Sequence, residues 1–130
     1  MIRPAAVLLL SASLAAAATV TRVEFSRSGG QLPGRSVSGV AELRGGTGRV
    51  TSANGYARDL GPEEAAKLRD ALAQPPTPVT PAPDAYVYSV RVVHGKKLRQ
   101  MAFTDASPHP LAPWLRKETA AIARWRPKPR

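Results

Sequence analysis

The chain has 130 residues with 19 Lys and Arg against 9 Asp and Glu, a net charge of +10 at pH 7, and no cysteine. That length suits one domain with a single modest core, and the lack of cysteine excludes a disulfide framework, thiol chemistry and cysteine-based metal sites. A basic surplus of this size favours acidic partners such as nucleic acid, anionic envelope polymers or an acidic protein, without choosing among them.

The chain opens with Met1-Ile2-Arg3-Pro4 and an apolar or small run from Ala5 to Ala18. A basic start, an apolar stretch and Ala16-x-Ala18 as the cleavage site describe a secretory signal peptide over residues 1–18. The run falls short of the roughly 20 residues needed to cross a bilayer, so it is expected to be removed, leaving no transmembrane segment and a secreted or periplasmic protein. Without Arg3 the mature chain carries 18 Lys and Arg against 9 Asp and Glu, a balance of +9.

From Thr19 to Phe25, residues Thr21, Val23 and Phe25 alternate with Val20, Arg22 and Glu24, the period of a half-buried strand. Ser28-Gly29-Gly30 and Pro33-Gly34 then predict a loop over Ser26 to Arg35. A second strand over Val37 to Leu43 puts Val37, Ala41 and Leu43 on one face, and Gly45-Gly46 turns the chain. Arg49 to Ala53 and Tyr56 to Leu60 flank Asn54-Gly55, whose composition predicts a type I′ hairpin with positive φ at both central residues.

Gly61-Pro62-Glu63-Glu64 reads as a helix start, with Pro at the first helical position and acids at its positive end. Ala65, Leu68 and Leu72 form its buried stripe. Five prolines between Gln74 and Asp84 predict an extended connector. Tyr86, Tyr88, Val90 and Val92 alternate with Val87, Ser89, Arg91 and Val93, and Leu98 to Thr104 returns after His94-Gly95 as a hairpin. After a Pro-rich approach, Asp105 to Pro113, helical spacing over Trp114 to Trp125 aligns Leu115 with Ile122 and Trp114 with Ala121 and Trp125. The expected architecture is α+β: one domain over residues 19–125, an antiparallel sheet with two helices packed on one face, and a basic Pro-rich tail, 126–130. Arg22, Glu24, Ser89 and Arg91 are expected on the open side of the sheet.

Few residues offer chemistry. The only imidazoles are His94 and His109, both at turn-like positions that suggest solvated side chains, and neither has further ligands at a metal-site spacing. Glu63 and Glu64 belong to a helix start, and Asp84 and Asp105 flank the late hairpin as turn residues. The Gly-rich stretches join no strand to a helix and are turns rather than phosphate cradles. No catalytic residue, cofactor or metal site is expected. Tyr86 and Tyr88 share a face with Val90 and Val92, which indicates packing rather than base stacking, so no nucleic acid is expected. Basic residues cluster at Lys96, Lys97 and Arg99 and in the tail from Arg124, where prolines prevent a membrane-binding amphipathic helix.

Three segments in order carry a resemblance: Val23-Glu24-Phe25-Ser26-Arg27-Ser28-Gly29-Gly30, Leu60-Gly61-Pro62-Glu63-Glu64-Ala65-Ala66-Lys67-Leu68-Arg69, and Asp84-Ala85-Tyr86-Val87-Tyr88-Ser89-Val90. Over residues 21–125 the chain resembles the emfourin-like family of small bacterial inhibitors of protealysin-like and thermolysin-like metalloproteases. It departs from the family pattern at Gln31-Leu32-Pro33-Gly34, where members often carry an aromatic-containing step, and in its Pro-rich connector and basic tail. The resemblance implies a non-enzymatic, monomeric inhibitor whose partner is such a protease. It places the contact at Arg27, Ser28, Gly29, Gly30, Gln31 and Leu32, a protrusion that excludes substrate by steric occlusion. The alternative is an extracytoplasmic cationic module for anionic envelope polymers or an acidic protein, resting on Lys96, Lys97 and Arg99.

Overall fold

The computed structural model describes residues 20–29, 36–77 and 85–127. The cleavage residues Ala16 and Ala18, the contact residues Gly30, Gln31 and Leu32, and most of the Pro-rich connector lie outside the described residues. Six strands, β1 (Val20–Gly29), β2 (Val37–Arg44), β3 (Thr47–Thr51), β4 (Ala57–Leu60), β5 (Tyr86–His94) and β6 (Lys97–Thr104), accompany two helices, α1 (Pro62–Ala73) and α2 (Leu111–Arg124). All strand pairs are antiparallel, in the order β4-β3-β2-β1-β5-β6. The α+β architecture with both helices on one face is therefore the observed one.

Period-2 alternation decides which side of each strand is covered. Val23 faces Ala41 on one neighbour and Val92 on the other, and Phe25 faces Gly39 and Val90. These residues, with Leu43, Val50, Leu60, Tyr88, Met101 and Phe103, form one buried layer. Ala65, Leu68 and Leu72 of α1 and Leu111, Leu115 and Ile122 of α2 close it from above. The opposite face is open, and Arg22, Ser89 and Arg91 are exposed there with Glu24 half-buried.

The helices carry the chain across the sheet and back. α1 starts beside β4, with Gly61 as its N-cap and Pro62 in the first turn. Its last carbonyls reach β6, where Arg99 donates to Leu72 O at 2.8 Å. α2 begins where His109 stacks on Phe103, with ring centroids 4.7 Å apart. It ends where Ile122 O accepts Asn54 Nδ2 at 3.0 Å from the β3–β4 turn.

Three local expectations change. First, Ser26 to Gly29 are strand rather than loop, because β1 is an interior strand whose backbone groups are claimed by β5 as far as Gly29 and by β2 as far as Arg27. Second, the Asn54-Gly55 turn is not type I′. Among the described residues only glycines take positive φ, and Gly55 does so at +98° while Asn54 does not. Gly55 N–H donates to Ser52 O, and Ser52 N–H donates to Tyr56 O, a three-residue connection in which a left-handed glycine follows the turn. Asn54 instead spends its side chain on Ile122 O and on the Tyr56 N–H, which donates to Oδ1 at 3.0 Å. Third, α2 starts at Leu111, three residues before Trp114, because Pro113 falls in the first turn where no intrahelical N–H is needed.

Candidate functional site

The end of β1 is built from both sides. Arg27 lies opposite Tyr88 on β5 and Val37 on β2, while Ser28 and Gly29 lie opposite Val87 and Tyr86. Arg27 projects on the helix-covered side, one pleat beyond Phe25, and its guanidinium carbon stands 4.3 Å from the centroid of the Tyr86 ring. Its Nε is buried and has no hydrogen-bond partner among the described residues. Ser28 is exposed, and Gly29 takes φ +84° as the strand ends. A Cβ at Gly29 would stand 3.1 Å from Ala85 O, so the backbone of β5 already occupies the near side of this glycine. Three of the six expected contact residues, Arg27, Ser28 and Gly29, are thus brought together on a fixed strand end.

The basic cluster does not stay together. Lys96 and Lys97 sit exposed at the β5–β6 turn. Arg99 turns to the helix-covered side and donates to Leu72 O at 2.8 Å and Gln74 O at 3.4 Å, so its cation caps the carbonyl end of α1. A helix C-terminus near a cation was not readable from Lys96-Lys97-x-Arg99 itself.

The histidines part company as well. His94 is exposed, with Nδ1 at 2.8 Å from Thr21 Oγ1. His109 is not a solvated turn residue: it is only 2 % exposed. Its Nδ1 accepts the Leu111 N–H at 3.1 Å, so Nε2 carries the proton that it offers to Gln74 O at 3.3 Å. The prolines on either side hold the ring over Phe103, where it caps α2 and fixes the connector's start.

Sequence reasoning missed the one dense polar centre among the described residues. Arg58 on β4 reaches Glu64 on α1 through two bonds of 2.8 and 2.6 Å, and Glu118 on α2 at 2.6 Å. Tyr56 OH donates to Glu118 at 2.7 Å, and the Trp114 indole donates to Glu64 at 3.2 Å. Hydrogen bonds from Arg58 hold the Glu64 carboxyl below its ordinary range against the opposing effect of burial. Its two carboxylates, first Glu64 and then Glu118, raise the Arg58 guanidinium. Burial, then the Glu118 hydrogen bond, raises the Tyr56 phenol. Carboxylates so closely shared by one guanidinium are hydrogen-bonded and occupied, which suits a structural joint. The only sequence signal was an acid pair at a helix start, and an acid on a distant helix gave no hint of a common partner.

The open face carries a lattice of exposed ion pairs: Arg49 with Asp59 at 2.7 Å, Arg22 with Glu42 at 3.4 Å and Glu24 at 3.5 Å, and Arg91 with Glu24 at 3.7 Å. Among the described residues no helix is long and apolar enough to cross a membrane. Fold and site together define a small antiparallel α+β protein whose partly buried ionic groups join its layers and whose Arg27 side chain, at the end of β1, has no hydrogen-bond or ion-pair partner among the described residues. Comparison with protein-family models, with curated proteins and with solved structures finds no match.

Proposed function

We propose that this chain is a protein-binding inhibitor that acts outside the cytoplasm by occluding the cleft of a thermolysin-like metalloprotease. The family comes from the resemblance of Val23 to Gly30, Leu60 to Arg69 and Asp84 to Val90 to emfourin-like inhibitors. The observation that carries the reading is the mounting of the β1 end, where Arg27 to Gly29 are paired to β5 and Arg27 is stacked on Tyr86. An occluding inhibitor gains affinity from contacts that are already ordered, because little conformational entropy is then lost on binding. A strand end held by its neighbours supplies such a contact surface, whereas the divided Lys96, Lys97 and Arg99 supply no comparable cationic platform.

Titration of a thermolysin-like metalloprotease with residues 19–130 tests this. The expected result is stoichiometric loss of protease activity, with potency at least roughly tenfold weaker in a folded Ser28→Trp, Gly30→Trp variant, the scale of one lost hot-spot contact. A Lys96→Ala, Lys97→Ala variant should inhibit as wild type does. Absence of inhibition across several such proteases, or a tryptophan variant of undiminished potency, would overturn the reading. Loss confined to the lysine variant, with steep salt dependence, would transfer the function to a charge-driven binder.

A further inference from the structure

Among the described residues the half-buried arginines other than Arg27 have acceptors, and so does the exposed Arg99. Arg58 has two carboxylates, Arg99 has helix carbonyls, and Arg69 donates to Gly45 O at 2.8 Å. Arg27 differs. It is half-buried, its Nε has no acceptor, and it forms no hydrogen bond or ion pair among the described residues. A buried charged donor left without an acceptor is unfavourable by more than a neutral one, and the face of Tyr86 satisfies the guanidinium's π surface but not its in-plane N–H groups.

Arg27 lines a groove of about 580 Å3 together with Gly29, Ser36, Ser38, Tyr86 and Ala123. No Asp or Glu lines it. On the Ala123 wall, Arg126 is held by bonds to Ala123 O at 3.0 Å and Trp125 O at 2.8 Å, which fixes a second cation at the same end of the molecule. A planar fork with one face covered by Tyr86 and no acid in the lining of its groove is complementary to a planar anion.

We infer that Arg27 and this groove form a carboxylate-binding site that receives an Asp or Glu side chain of the partner polypeptide. The inference rests on the protein-binding reading above and names the chemistry of the contact: the guanidinium, oriented by Tyr86, donates through its two terminal nitrogens to the two carboxylate oxygens. Tyr86 acts as a positioning residue. Lysine at position 27 would keep the charge and lose both the stack and the fork.

The test needs no protease, so its failure is separable from failure of the inhibitor reading. Arginine-labelled protein is titrated with N-acetylglutamate at constant ionic strength, following the Arg27 Nε–H resonance, with inorganic phosphate and chloride as comparison anions. The expected result is a saturable shift of that resonance, tighter for N-acetylglutamate than for phosphate and absent for chloride. Tyr86→Ala should weaken it roughly tenfold or more, the scale of one charge-assisted hydrogen bond lost from alignment. In Arg27→Lys, whose fold is checked by its thermal midpoint, chemical-shift changes at the Ser36 and Ser38 amides should disappear. Equal responses to all three anions would identify a diffuse ion atmosphere, tighter phosphate binding would identify a phosphate site, and no response in folded protein would leave no site. Each of these three results overturns the inference.

Discussion

At the scale of single residues, what decides a charge's contribution is whether it can be returned to water. Glu118 is 5 % exposed and depends on Arg58 and Tyr56 for its hydrogen bonds. Arg58→Met strands that carboxylate, and the expected cost is about 2–3 kcal/mol, below the ~3–5 of a fully enclosed pair because a third of the Arg58 side chain meets solvent. Arg49 makes an equally short contact to Asp59, yet both side chains are more than half exposed, so Arg49→Met is expected to cost under about 1 kcal/mol. Urea denaturation of the two variants checks the difference; equal losses would refute this account of the polar centre. None of this was visible from the residues singly, since Arg58 and Glu118 lie 60 positions apart.

At the scale of elements, the same centre joins β4, α1 and α2, and Glu64 gives it a pH signature. Because the folded Glu64 carboxyl is held below its ordinary value by Arg58, its stabilising contribution is complete above the unfolded pKa near 4.3 and is lost as pH falls through the folded value. Wild type should therefore lose up to about 1 kcal/mol more than Glu64→Gln between pH 5 and 2, a figure reduced for the exposed third of the side chain. Parallel acid profiles for the two proteins would remove Glu64 from the joint. The seat of α2 on the sheet makes a second demand. A Cβ at Gly39 would lie 2.7 Å from the Phe25 ring and 2.9 Å from Ile122 Cδ1, so Gly39→Val is expected to cost about 1–3 kcal/mol by overpacking. Trp114 and Trp125 report the displacement: their emission should shift, and an unchanged spectrum with unchanged stability would show that the helix has room to spare. Element existence was legible in period and punctuation, with both late strands and both helices found in order. Element ends were less so, because Ser-Gly-Gly signals a turn locally while β5 pairs with the chain as far as Gly29 and β2 as far as Arg27.

Across the whole molecule, one buried cluster includes residues of all six strands and both helices. No part can therefore expose its apolar side without opening the rest, and unfolding should be a single cooperative transition. Tryptophan fluorescence, which follows α2 alone, and far-UV circular dichroism, which follows every element, should give the same urea midpoint. Separate midpoints would mean that α2 undocks from a surviving sheet. The two faces of that sheet also divide the molecule's chemistry. The open face spends its charges on exposed pairs with each other, while the end of β1 keeps Arg27 without an acceptor among the described residues.

Sequence alone determined the α+β class, the covered and open sides of β1, β2 and β5, the turn at Gly45-Gly46, the start of α1 and the hydrophobic stripes. These depend on neighbours within a few positions, through pleat and helical period and the local conformations of Gly and Pro. Tertiary structure alone decided where the polar groups were used. Arg99 left its basic cluster for Leu72 O, His109 became a buried cap, Glu64 and Glu118 met on Arg58, and Arg27 came to lie on Tyr86. Each of these outcomes pairs groups brought near one another by strand register or helix crossing, and a polar side chain will bond to whichever acceptor or donor the packed layers leave within reach.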